Sequence, residues 1–143
     1  MKKLFLMMAM IFATSTIFAQ SADAVLGKWL NGDGDAYIQI YKSGSTYDGK
    51  LVWLKNPKDE TGKTKVDSKN PNASLKTRPI LGLQLLNNFK FEDGDWEDGT
   101  IYDPKSGKTY SCKMTLENND KLKVRGFVGF SWIGRTDTWT RVK

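Results

Sequence analysis

Four residues near the end of the chain could act together chemically. In the stretch GRTDTWTRV (134–142), Arg135, Asp137, Trp139 and Arg141 fall on one side of a period-two pattern; Gly134, Thr136, Thr138, Thr140 and Val142 fall on the other. A guanidinium pairs bidentately with a carboxylate or phosphate, and an indole face attracts a cation. Facing inward, Arg135 and Trp139 would suit an anionic head group on an apolar tail. Facing outward, the row would be an exposed charge ladder worth little. The inward orientation is the expected one, because threonines fill an interior poorly.

The other arginines are Arg78 and Arg125. Arg78 ends a long basic connection, about residues 55–79, in which Lys55, Lys58, Lys63, Lys65, Lys69, Lys76 and Arg78 outnumber Asp59, Glu60 and Asp67. Connections this long are usually lids, binding loops or disordered segments. This one reads either as a basic lid attracting an anion or as a solvated loop, with the Arg78 guanidinium expected to be partly buried and paired. The chain also has five Trp and five Tyr. Such aromatics line ligand cavities, or simply fill a small barrel. The ligand-binding candidates are therefore Arg78, Tyr102, Arg125, Arg135 and Trp139.

Other chemistries find less support. The chain has no His and a single Cys, Cys112, which excludes His-based triads, His-ligated metals, an intramolecular disulfide and an ordinary zinc site. Cys112 sits on the apolar side of its segment and reads as a buried, inert thiol. Asp67, Asp103 and Asp137 could supply an acid–base pair, but no catalytic motif surrounds them, and whether the protein is an enzyme stays open. The acidic stretch EDGDWEDG (92–99) lacks the spacing of a calcium loop and is read as a charged hairpin tip. No metal or cofactor is expected. An oligonucleotide-binding barrel is disfavoured by the modest charge and by the leader described next, so no nucleic-acid partner is expected.

The elements that must position these residues follow from the pattern. Residues 1–19 carry Lys2 and Lys3, an apolar run and small residues ending at Ala19, which reads as a cleavable signal peptide and an exported protein, periplasmic or extracellular. A later cut, after Ala24, is the alternative. Without Lys2 and Lys3 the formal charge falls from +6 to +4. No later segment is long and apolar enough for a transmembrane helix. Residues 20–143 read as one domain of short strands: 27–31, 36–42, 47–55, 81–91, 100–103, 108–117, 121–128 and 132–141. The connections are hairpin turns apart from the 55–79 loop. The expected fold is all-β, a single eight-stranded antiparallel up-and-down barrel whose closure removes exposed edges.

Several stretches also carry a family likeness. GKW (27–29), YDGKLVWLKNP, DSKNPNASLKTRPILGL, GTIYDPKSGKTYSCKMTL and LKVRGFVGFSWIGRTDTWTRV run in order through nearly the whole of residues 20–143. Together they resemble the bacterial secreted family called domain of unknown function 2147, which is lipocalin-like in fold. The resemblance implies that Gly27, Trp29 and Arg141 close one end of the barrel, with Arg141 packed across the indole. It implies no activity. The function expected is binding of a small, largely apolar, possibly anionic ligand in the barrel. The competing expectation is a protein- or envelope-interaction module with a solidly packed barrel and a basic contact loop.

Overall fold

Lys108–Asn118 shows how this sequence makes its sheet. Cys112, Met114 and Leu116 are buried at alternate positions while Ser111, Lys113 and Thr115 lie on the other face, the period-two division of a half-buried strand. This segment is one of eight strands: β1 Gly27–Leu30, β2 Ala36–Ser43, β3 Thr46–Leu54, β4 Gln84–Glu92, β5 Asp95–Asp103, β6 Lys108–Asn118, β7 Lys121–Phe127 and β8 Gly134–Arg141. This computed structural model describes residues 21–143, so the expected leader lies outside the described residues.

Each strand pairs antiparallel with the next, and β8 returns to β1 through Trp29↔Arg141 and Leu30↔Thr140. The result is a closed barrel in sequence order. One end is shut by a short 3-10 helix, Ala22–Val25, which enters β1. The half of the interior next to it is filled by Trp29, Ile40, Phe89, Trp96, Met114 and Leu122, each buried. The other end is bordered by the β1–β2 turn, the long β3–β4 connection, the β5–β6 turn and the β7–β8 loop.

Three strand boundaries differ from the sequence expectation by more than one residue. β5 starts at Asp95, not at residue 100. Its acidic residues point outward, where Asp95 and Glu97 pair with Lys113 at 3.3 and 3.0 Å, while Trp96 is buried between them. A bulge at Asp98, with φ of 60°, interrupts the alternation. β4 starts at Gln84, because residues 81–83 form a turn over which Gly82 donates to the Leu51 carbonyl. β8 starts at Gly134, and Trp132 and Ile133 belong to the loop before it.

Candidate functional site

Below the open end lies a cavity of about 860 Å³. Its depth is apolar, with Ile38, Leu51, Leu85 and Trp139 on its walls. Its rim is charged. The inward face of β8 supplies Arg135, Asp137 and Trp139, and the threonines Thr136, Thr138 and Thr140 are exposed on the other face.

The rim acids are committed to local bonds. Asp137 Oδ2 accepts from the Trp139 indole N–H at 2.8 Å and from the Gly32 amide at 3.1 Å. A Cβ on Gly32 would lie 1.8 Å from Asp137 Oδ1, so this approach requires glycine. Lys105 reaches Asp33 and Asp35, both at 3.5 Å. The hydrogen bond from Asn31, reinforced by the Lys105 charge, outweighs burial and holds the Asp35 carboxyl below its usual range. Asp59 caps its own turn by accepting from Thr61 and from the Lys63 amide. Arg135, Lys65 and Lys69 also line the rim, and none is in an ion pair among the described residues. The lining carries five carboxylates, on Asp33, Asp35, Asp59, Asp103 and Asp137, against four cations, on Lys65, Lys69, Lys105 and Arg135, so its net charge does not select an anion; what can meet one is the unpaired Arg135 guanidinium above the apolar floor.

The long connection is tied down by one carboxylate. Asp67 is fully buried. It accepts from Tyr102 Oη at 2.5 Å, from Asn70 Nδ2 at 2.8 Å and from Arg78 Nε at 2.9 Å, with Arg78 Nη2 at 2.9 Å. Burial alone would push its pKa up, but the bonds from Tyr102, Asn70 and Arg78 prevail and hold it below the usual value. Burial and the same carboxylate push the Tyr102 hydroxyl up to about 12. The loop is thereby fastened to β5 as one wall of the mouth. Of its cations, only Lys65 and Lys69 line the cavity.

At the closed end, Arg141 lies over the Trp29 ring, its guanidinium carbon 4.3 Å from the centroid. Its nitrogens donate to the carbonyls of Leu26 at 2.8 Å, Ala24 at 2.7 Å and Asn119 at 2.6 Å. Gly27 has φ of +126°, and a Cβ there would meet Arg141 Nη1 at 3.1 Å, which explains the residue type by conformation and by space. The 3-10 helix is held by Trp29 Nε1 donating to Val25, Trp96 Nε1 to Ala22, and Tyr47 Oη to Asp23.

The sequence candidates therefore separate. Arg135, Trp139 and Tyr102 line one cavity. Arg78 does not line it; its guanidinium is spent on Asp67. Arg125 lies on the outer face of β7, donating to the Ser131 carbonyl and to Thr136 Oγ1, because inward positions on that strand belong to Leu122 and Val124. Among the catalytic possibilities, Asp67 is locked in its network, Asp137 holds Trp139, and Asp103 accepts from the Lys105 amide in a turn. Trp29 and Trp96 fill the closed end, and Trp53 packs against Tyr37 on the outside, 4.4 Å between centroids with the rings tilted by 31°. Sequence reasoning missed Asp35 and Lys105. Their signal was charge on two short turns, NGDGD and DPKSGK, which read only as turn chemistry.

Residues 27–141 match the family described as "Uncharacterized protein conserved in bacteria (DUF2147)". No curated protein matches the chain. Among solved structures, protein HP1028 from the human pathogen Helicobacter pylori, described as belonging to the lipocalin family, is similar with a TM-score of 0.71 and 20% identity, over 82% of each chain. At that identity the likeness concerns the fold, a lipocalin-like eight-stranded barrel.

Proposed function

This chain belongs to the DUF2147 family of bacterial proteins, and we propose that it is an exported binding protein that takes the apolar part of a small amphipathic anion into its barrel. One observation carries this reading. An apolar cavity of about 860 Å³ opens beside Arg135, a rim cation with no ion-pair partner among the described residues. That volume falls within the usual range for small-molecule sites, roughly 300–1,000 Å³. An acyl or ring system would displace water from Ile38, Leu51 and Leu85, and a carboxylate or phosphate would meet the guanidinium. The competing picture of a barrel packed solid does not fit an interior filled only in its closed half.

The test is titration of a fluorescent polyene fatty acid into the chain from Gln20 onward. Saturable uptake is expected, weakened by about tenfold to a hundredfold in Arg135→Ala, the loss of one charge-assisted contact. Thr138→Ala, on the outer surface, should leave uptake unchanged. No uptake by the folded protein, or equal uptake by Arg135→Ala, would remove the anion-binding role.

A further inference from the structure

Seven large apolar side chains are well exposed among the described residues, and four of them fall within six consecutive positions. Val128, Phe130, Trp132 and Ile133 are 72, 58, 71 and 62% exposed, against 36–48% for Trp53, Val66 and Leu81. All four belong to the β7–β8 loop, at the open end of the barrel. Apolar residues scattered singly need no explanation, but a contiguous exposed cluster marks an interaction surface.

The loop is built to present them. Phe130 and Trp132 stack at 4.4 Å between centroids, with 14° between ring planes. The backbone folds back through Phe130 donating to the Val128 carbonyl and Ile133 to the Phe130 carbonyl. Arg125 fastens the base, donating to the Ser131 carbonyl at 2.5 Å. The apolar side chains thus project from a braced turn.

The surrounding charge identifies the partner. From Lys123 to Thr136 the chain carries Lys123, Arg125 and Arg135, and no Asp or Glu; on the neighbouring outer face Asp95 and Glu97 are paired with Lys113. Lys123 and Arg125 line the outer surface beneath Trp132. Aromatic side chains with a cationic skirt suit the headgroup layer of an anionic bilayer, where indole rings settle and basic residues meet lipid phosphates. Two-fold pairing of the tip with a second copy would set cations against cations.

We propose that the β7–β8 tip is a membrane-docking wedge that seats the open end of the barrel on an anionic lipid surface. Phe130 and Trp132 enter the interfacial layer while Lys123 and Arg125 meet the phosphates. Docking in this orientation turns the cavity mouth toward the bilayer. The proposal rests on the loop and holds whatever the cavity binds.

The described residues form a closed barrel with its plug, so the chain from Gln20 onward is the form to test, without the apolar stretch of residues 1–19. It is mixed with vesicles of phosphatidylcholine plus phosphatidylglycerol, and with vesicles of phosphatidylcholine alone. Co-sedimentation with the anionic vesicles is expected, weakening as salt is added. The double variant Phe130→Ser with Trp132→Ser should bind at least about tenfold less, with its far-ultraviolet circular dichroism and its melting temperature intact. Lipids brominated on the acyl chain should quench the unaltered chain and quench Trp132→Phe less, a readout that does not depend on the double variant folding. Failure to bind anionic vesicles, equal binding by the double variant, or quenching unaltered in Trp132→Phe would overturn the proposal. So would vesicle-independent dimerisation abolished by the serine pair, which would assign the tip to a second copy.

Discussion

The hydroxyl of Tyr102 donates a 2.5 Å hydrogen bond to the buried carboxylate of Asp67, joining a cavity-lining strand residue to the middle of the long connection. Arg78 and Asn70 complete the network. Removing the charge in Asp67→Asn leaves Arg78 without its counter-ion and turns an acceptor into a competing donor. We expect a loss of about 2–4 kcal/mol by denaturant unfolding, with faster proteolysis between residues 55 and 79.

The same pair contributes to two pH limits, alongside Asp23 and Tyr47, whose shifts run the same way. The Asp67 carboxyl is held below its ordinary value of 3.8 in the fold, so its contribution is full above that value and is lost as pH falls through the folded one. The Tyr102 hydroxyl is raised from 10.0 to about 12, so its contribution is full below pH 10 and is lost as pH rises toward about 12. Thermal melts across pH should show stability falling on both sides of a plateau, and Asp67→Asn should reduce the acid limb but only part of the alkaline one, because burial remains the larger cause of the Tyr102 shift. An unchanged acid limb in that variant would remove Asp67 from the account.

The closed end makes a separate prediction. Arg141 supplies three carbonyl contacts and covers Trp29 from one planar fork. Lysine offers one ammonium and no plane, so Arg141→Lys should cost about 2 kcal/mol. Gly27→Ala should cost about 1–2 kcal/mol through its positive φ and its contact with Arg141. In both variants the Trp29 emission should move to the red. Because they act on one contact, the double variant should lose less than the sum of the singles.

How far the sequence is legible depends on how regularly a strand alternates. β6 and β8 keep strict period two, and their faces could be assigned from residue type. β5 could not be read back to Asp95, because the bulge at Asp98 breaks the period and because acids beside a Trp suggest a solvated tip. Only the partner strand, with Lys113 opposite, reveals why those acids belong to a sheet. The sequence pattern suggests a strand from Trp132, but the strand starts at Gly134 and leaves Trp132 exposed, which depends on where the neighbouring strands end. The Arg78–Asp67–Tyr102 network spans 35 residues, a pairing no local pattern encodes. Arg78 could be read as paired, but not with which partner, and its candidacy for ligand contact failed on that partner.

Cys112 offers a simple chemical check. It is 1% exposed, and burial pushes its thiol up to about 12. A thiol-selective maleimide at neutral pH should therefore leave the folded protein unmodified and label it fully in denaturant. Rapid labelling of the folded chain would mean that β6 opens locally or that the inward face is assigned wrongly.

At the mouth, Gly32 and Asp137 form a contact that can be tested without touching Arg135. The Gly32 amide and the Trp139 indole share one Asp137 oxygen, and this holds Trp139 against the cavity. A methyl group in Gly32→Ala would collide with Asp137 Oδ1. Asp137 is short, so it can yield only by turning away and releasing both bonds. We expect a loss of about 1–2 kcal/mol in stability, a change in Trp139 emission, and weaker uptake of the fluorescent fatty acid. A released Asp137 carboxylate is also free to turn toward Arg135 and compete with a bound anion, so the loss of uptake should exceed what the lost packing explains and should diminish at high salt. Thr138→Ala, on the outer face of the same strand, should change none of these. Equal uptake by Gly32→Ala and the unaltered chain would mean that the ligand does not reach the part of the cavity bounded by Trp139.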